Sequence, residues 1–315
     1  MSSTGTAPAP VFDPAAAFPE AGVLRSAAEA GDWPTVSGFF ARFTSPDERS
    51  FGVTTTMSVP AAEPMLRAVV EREPRAEPAR VLLAAQYVQR GWTIRGTGPA
   101  AGVSRDQFAG MHEWLRQAEH LLIDVTAREP ANAVAWWLRL ITARGLGLGQ
   151  SEARRRYDRL AAHHPGFLAA QRNLLQQLSP KWGGSWDAAH AFVRECTAAA
   201  RPGDPQGVLV PELYLERWLE LGPEAGGDFL RGPGIREEIA AAAATSVLHP
   251  AYRSRFGWVV AHSTFAMAFS LIGDLPRAAV HFRVLGGRAS EGPWHYFPDP
   301  VAAHARHRDR ALAKG

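Results

Sequence analysis

The chain is poor in three things, and each shortage narrows what it can be. Cys196 is the single cysteine among 315 residues. No disulfide can form within one chain, and no cysteine-based metal site can be assembled. That fits a reducing, cytoplasmic setting. Lysine is almost missing: Lys181 and Lys314 are the only two, so 32 of the 34 basic residues are arginine. The formal charge of +3 is too small to point to nucleic acid, and the arginine bias reads as the codon preference of a GC-rich genome. Long apolar runs are also lacking. The longest, Trp258 to Ile272, is about one helical turn too short to cross a bilayer and contains His262, so it reads as a buried core helix. Residues 1–20 lack the basic start and continuous apolar core of a signal peptide.

What is present is enough to fold. Hydrophobic residues make up 46% of the chain and charged residues 21%, close to the averages for folded globular proteins. A chain of this length buries a large share of its surface. Residues 1–18, rich in Ala, Pro, Ser and Thr, are expected to form a disordered tail. Residues 19–315 read as a single helical domain. The clearest amphipathic pattern is Phe108, Met111, Leu115, Ala118, Leu122 and Val125, whose steps of three and four place them on one helical face. Further helices are predicted near 20–30, 33–43, 60–73 and 77–91. Another is marked by Val134, Trp137, Leu138 and Ile141 and is stopped by the segment from Gly145 to Gly149. The next starts at a Ser151 cap and ends before Pro165. Leu168 to Leu178 follows, then Trp186 to Ala200. The remainder lie near 210–221, 235–247, 252–272, 274–286 and 300–313. Gly52 to Val59 is β-prone without a pairing partner and is expected to be an extended loop. Thr93 to Arg105 reads as an irregular insertion. Pro130 and Pro165 stand 35 residues apart, a period that belongs to stacked helix–turn–helix units.

Three stretches then resemble the tetratricopeptide repeat. Gly273-Asp274-Leu275 is followed by Ala278 and Phe282. Gly31-Asp32-Trp33 is followed by Val36 and Phe40. The third stretch has Trp136 in its first helix, Ala153 and Tyr157 in its second, and Pro165 at its end. The resemblance implies an all-α, tetratricopeptide-like α-solenoid of antiparallel hairpins. The stretch from Trp92 to Trp186 also resembles a largely actinobacterial group of uncharacterised helical-repeat proteins. It does so through Arg90-Gly91-Trp92, Arg144-Gly145-Leu146-Gly147 and Pro180-Lys181-Trp182-Gly183-Gly184-Ser185. That likeness implies the fold and carries no activity.

Catalytic signatures are weak. Gly145, Gly147 and Gly149 precede a helix, but no strand comes before them and no lysine after, so a flexible turn is the better reading than a phosphate loop. His112-Glu113 begins like a zinc-hydrolase motif, but Arg116 stands where the second histidine belongs. His163 and His164 are adjacent and point about 100° apart on a helix. His262, His281 and His295 can meet only through tertiary folding. Ser185 reads as a helix cap rather than a nucleophile, and Cys196 as a core residue. No catalytic residue, metal or cofactor is assigned.

The residues that stand out are Arg90, Trp92, Arg95, Arg144, Lys181, Trp182 and Trp186, at or near hairpin turns and helix ends. In a stack of like units such positions line one surface, and arginine with tryptophan is the composition of binding hot spots. The expected function is a protein- or peptide-binding module, its arginines favouring acidic or C-terminal carboxylate groups. Neither nucleic acid nor a membrane is expected as partner. An enzyme of bacterial secondary metabolism with an aromatic-lined pocket stays open as the alternative, as does scaffolding by self-association.

Overall fold

The computed structural model describes residues 10–98, 100–253 and 256–315. Among these the regular structure is helical, with 17 α-helices and five short 3-10 turns. An isolated bridge joins Val11 to Arg288. No helix among the described residues is long and apolar enough to cross a membrane. The contacts divide the chain into two compact units, Phe18–Ala189 and a second made of His190–Gly315 with the described residues that precede Phe18.

The first unit holds α1 (Pro19–Glu29), α2 (Trp33–Arg42), α3 (Pro46–Met57), α4 (Glu63–Arg72), α5 (Glu77–Arg95), α6 (Arg105–Arg128), α7 (Ala133–Gly145), α8 (Gln150–Ala161) and α9 (Leu168–Leu178). From α1 to α9, each odd-numbered helix touches the next odd-numbered one, and each even-numbered helix touches the odd one that follows it. The turns leading into α5, α7 and α9 are built alike. Ala76, Asn132 and Phe167 donate their N–H groups to the carbonyls of Glu73, Glu129 and His164. Six residues beyond each proline, a side chain reaches back to the proline carbonyl. Arg80 donates to Pro74 at 3.0 Å, Trp136 Nε1 to Pro130 at 2.9 Å and Gln171 to Pro165 at 3.0 Å.

The second unit takes α10 (Trp186–Ala199) from His190 onward, then α11 (Leu209–Leu221), α12 (Pro223–Leu230), α13 (Ile235–Thr245), α14 (Trp258–Ile272), α15 (Leu275–Leu285), α16 (Glu291–Trp294) and α17 (Pro300–Lys314). α14 is the hub, in contact with α11, α12, α13, α15, α16 and α17. It is buried on every side from Ala261 to Ser270, which accounts for a sequence apolar all round rather than striped.

One Gly-Asp turn appears in each unit. Gly31 and Gly273 take positive φ, and Asp32 and Asp274 follow as helix caps, accepting from the N–H of Thr35 and Arg277. Asp32 N–H bonds to the Ala27 carbonyl and Asp274 N–H to that of Phe269. Ala278 and Phe282 are buried as expected of a close hairpin, since two helix backbones approach only where a side chain is small.

Several expectations are corrected. Gly52 to Met57 lies inside α3, not in an extended loop. The helix starts from a capping box in which Ser45 and Glu48 satisfy each other's backbone N–H groups, and that local gain outweighs the β-prone composition. α5 runs on through Trp92 to Arg95, so the irregular segment starts at Gly96. α8 is capped at Gly149, which leaves Ser151 inside the helix. α12 is an additional helix, started by Pro223. α14 begins at Trp258, six residues later than expected. Of the expected tail, residues 1–9 lie outside the described residues. Val11 exchanges backbone bonds with Gly287 and Ala289 at 2.9 Å. Residues 14–17 form a 3-10 turn, and Phe18 is buried.

Candidate functional site

Four of the seven singled-out residues come together at the ends of α5, α7 and the 3-10 turn Pro180–Trp182. The Arg144 guanidinium lies 5.6 Å from the ring centre of Trp92 and 5.7 Å from that of Trp182. The two indoles meet edge to face at 6.1 Å. Arg95 covers Trp92 at 5.8 Å. A guanidinium held by two indoles gains from each ring quadrupole.

The arginines are engaged within the protein. Arg144 Nη1 donates to the Asn173 side-chain oxygen at 3.1 Å and to its carbonyl at 3.3 Å. Arg95 donates to the carbonyls of Gly96 and Gly98, both at 2.9 Å, tying down the segment after α5. Two glycines allow the close approach. A Cβ on Gly145 would fall 2.3 Å from Leu115 Cδ1 and 3.2 Å from the Trp92 ring. A Cβ on Gly184 would fall 2.0 Å from the Leu178 carbonyl oxygen. The Gly183-Gly184 pair thus lets the chain fold over the end of its own helix α9. Gln150 fastens that turn, donating to the carbonyls of Gln177 at 2.6 Å and Trp182 at 2.9 Å.

The other three residues are placed differently. Arg90 belongs to another cluster, 4.2 Å over Trp114 and 2.9 Å from a Glu63 oxygen. It lies two positions from Trp92 on one helix, about 200° around the axis. Lys181 is exposed beside Trp182, and Trp186 opens α10 half-buried. Arg90 thus belongs to one contact cluster, and Arg95 and Arg144 to another.

A concave surface exists at the turns instead. A cleft of about 500 Å³ is lined by Pro46 and Arg49 of α3, Glu77 of α5, Ala131 and Val134 around the α6–α7 turn, and His164 before α9. Glu77 accepts from Arg49 at 2.6 Å and from Asn132 at 2.6 Å, linking successive turns. His164 Nε2 sits 2.9 Å from the Ala131 carbonyl, so that nitrogen carries the proton and donates.

Two buried polar clusters stand apart from these residues, and the first of them was not singled out in the sequence. In the first unit, Glu119 of α6 is 9% exposed and takes both guanidinium groups that reach it. Arg139 Nη2 lies 2.8 Å away and Arg156 Nη2 2.9 Å, while the Thr142 hydroxyl donates at 2.5 Å. Burial pushes the Arg139 guanidinium below its ordinary value, against the pull of Glu119. Glu152 closes the network on Arg156 at 2.7 Å. Hydrogen bonds from Arg155 and then Arg156 hold its carboxyl down at about 2, despite partial desolvation. A signal was available: Arg156 falls in step with Ala153, Tyr157 and Leu160, the apolar stripe of α8.

In the second unit, His262 and His281 face each other with Nδ1 atoms 2.9 Å apart. Of the three histidines whose convergence depended on tertiary folding, these two meet, and His295 is exposed elsewhere. Among the described residues no group of three or more His, Cys, Asp or Glu side chains is arranged to hold a metal ion. Ser185 caps α10, accepting from the Ala188 N–H at 3.2 Å, and Cys196 is buried.

No protein-family model matches the chain, and no curated protein or solved structure matches it either. No relative lends a fold family or a function.

Proposed function

We propose that residues 18–189 form a tetratricopeptide-like stack of helix hairpins that binds a protein or peptide segment, with the cleft across the helix-connecting turns as the docking surface. The observation that carries this reading is that one cleft draws its walls from α3, α5, the α6–α7 turn and the residue before α9. Equivalent positions of successive hairpins line a shared surface in such stacks. The recurring proline turn and the serial contacts of odd-numbered helices support the stack itself. The cleft is favoured over the tryptophan–arginine cluster because its walls come from several successive turns, whereas Arg144 and Arg95 each hold one guanidinium nitrogen on Asn173, or on Gly96 and Gly98, of their own surroundings.

The test is selection of short peptides from a displayed random library on the full-length protein, followed by affinity measurement. Ala131 is exposed on its turn, so Ala131→Trp fills the cleft without entering the core. It is expected to weaken selected peptides by about tenfold or more, roughly 1.4 kcal/mol. An Arg95→Ala, Lys181→Ala double variant is expected to leave them unchanged. The reverse pattern moves docking to the tryptophan–arginine edge, and a library that yields no binder removes the proposed activity.

A further inference from the structure

The second unit keeps three imidazoles in its core. His281 is 0% exposed, His304 1% and His262 3%. His281 packs against two phenylalanines, with ring centres at 5.1 Å from Phe265 and 5.7 Å from Phe269. His304 is enclosed by Phe12, Phe282 and Trp294, all with ring centres within 5.5 Å. With Nδ1 atoms 2.9 Å apart, the His262–His281 pair holds one proton between the two atoms, one donating and the other accepting. A further proton has two kinds of place to go. On the facing Nδ1 it sets two N–H groups against each other. On an outer ring nitrogen it leaves a charge in an apolar core, and His281 Nε2 has no hydrogen-bond partner there. Both ring nitrogens of His304 are in the same position. Burying an unpaired charge costs several kcal/mol in general.

The charged groups on the surrounding helices are committed elsewhere or face water. Glu216 of α11 accepts from the Tyr296 hydroxyl and Glu238 of α13 from that of Tyr214. Arg308 of α17 pairs with Asp309, and Asp274 with Arg277. Glu220, Glu224, Asp228, Arg236, Glu237, Glu291, Arg283, Arg306, Arg310 and Lys314 are exposed, while Glu212 and Arg217 are partly so. His307 stacks near Trp294 and Phe297 at 5.7 Å.

We propose that residues 190–315 form an acid-operated unit, in which proton uptake by the buried imidazoles of α14, α15 and α17 loosens the packing of these helices at a pH where residues 18–189 stay folded. The direction follows from the burial. Desolvation pushes His262 down to about 4 and His304 to about 4; desolvation and the neighbouring His262 push His281 to about 3. An unfolded histidine titrates near about 6.5. A group whose folded value is depressed gives its full stability above the unfolded value and loses it as pH falls through the folded one. Stability of this unit therefore drains between about 6.5 and about 4.

The test is hydrogen exchange of the full-length protein, read by mass spectrometry from pH 7.5 downward and corrected for intrinsic rates. Peptides from 258–308 are expected to lose protection by about pH 5, while peptides from 77–161 keep theirs. His281→Gln keeps a neutral partner for His262 and is expected to move the acid midpoint of the 258–308 peptides down by roughly 1 pH unit. The wild-type comparison decides the matter even if that variant folds poorly. Simultaneous loss of protection in both sets, or full protection of 258–308 at pH 4, overturns the proposal.

Discussion

The two units bury polar groups by opposite means. Around Glu119 the first unit keeps its charges and pairs them, with Arg139, Arg156 and Glu152 within 3 Å of a partner. Around His281 the second unit keeps the groups neutral and lets aromatic rings surround them. A paired charge is robust to protons until its carboxylate titrates, but intolerant of losing a member. A neutral imidazole tolerates its apolar surroundings but is exposed to ordinary acidity. The contrast teaches that equal burial does not mean equal vulnerability.

The sharpest way to break the comparison is Glu119→Ala. It removes the carboxylate that Arg139 and Arg156 share, leaving Arg156 with Glu152 alone, and is expected to cost the first unit about 3–5 kcal/mol. Urea unfolding followed by exchange of 105–161 peptides reads this out. Protection of 258–308 should be unaffected, and a loss under about 1 kcal/mol would show that the network relaxes by admitting water. A smaller effect is expected at the shared Gly-Asp turn. Asp274 is 10% exposed at its side chain and also pairs with Arg277, whereas Asp32 is exposed. Asp274→Ala is expected to cost about 1 kcal/mol, and Asp32→Ala less, measured as shifts in the denaturation midpoint of each unit. Equal losses would show that the turn is indifferent to its surroundings.

The mildest expectation concerns pH. Glu152, held down at about 2, contributes stability that is full above its ordinary value of 4.5 and is lost as pH falls through about 2. Glu152→Gln should therefore flatten the stability of the first unit below pH 4.5. It should leave the histidine-driven slope of the second unit untouched. Urea titrations at pH 5 and pH 3 test both statements.

Most helices were legible because their signals are local. The stripe from Phe108 to Val125, the Gly-Asp turns at Asp32 and Asp274, the Ser185 cap and the closing prolines all act within one or two turns of chain. The error at 52–59 arose from weighing composition above the Ser45–Glu48 box that starts the helix. Of the singled-out residues, Trp92, Arg144 and Trp182 do meet, whereas the residues that line the cleft carried no signal in the sequence that set them apart. Arg90 does not join the three, since two steps along a helix turn a side chain to the far face. The Glu119 network and the His262–His281 contact join residues 19 to 37 positions apart in sequence. No local rule fixes such contacts; only the packing of whole helices does.

The three proline turns carry one further consequence. The carbonyl of Pro74, Pro130 or Pro165 is answered by a guanidinium, an indole or a carboxamide. These side chains share little beyond an N–H and enough reach. Selection acting on the bond would preserve a direction in space while leaving the letter at that place nearly free. Kinship among such units would then be written in geometry and erased from spelling.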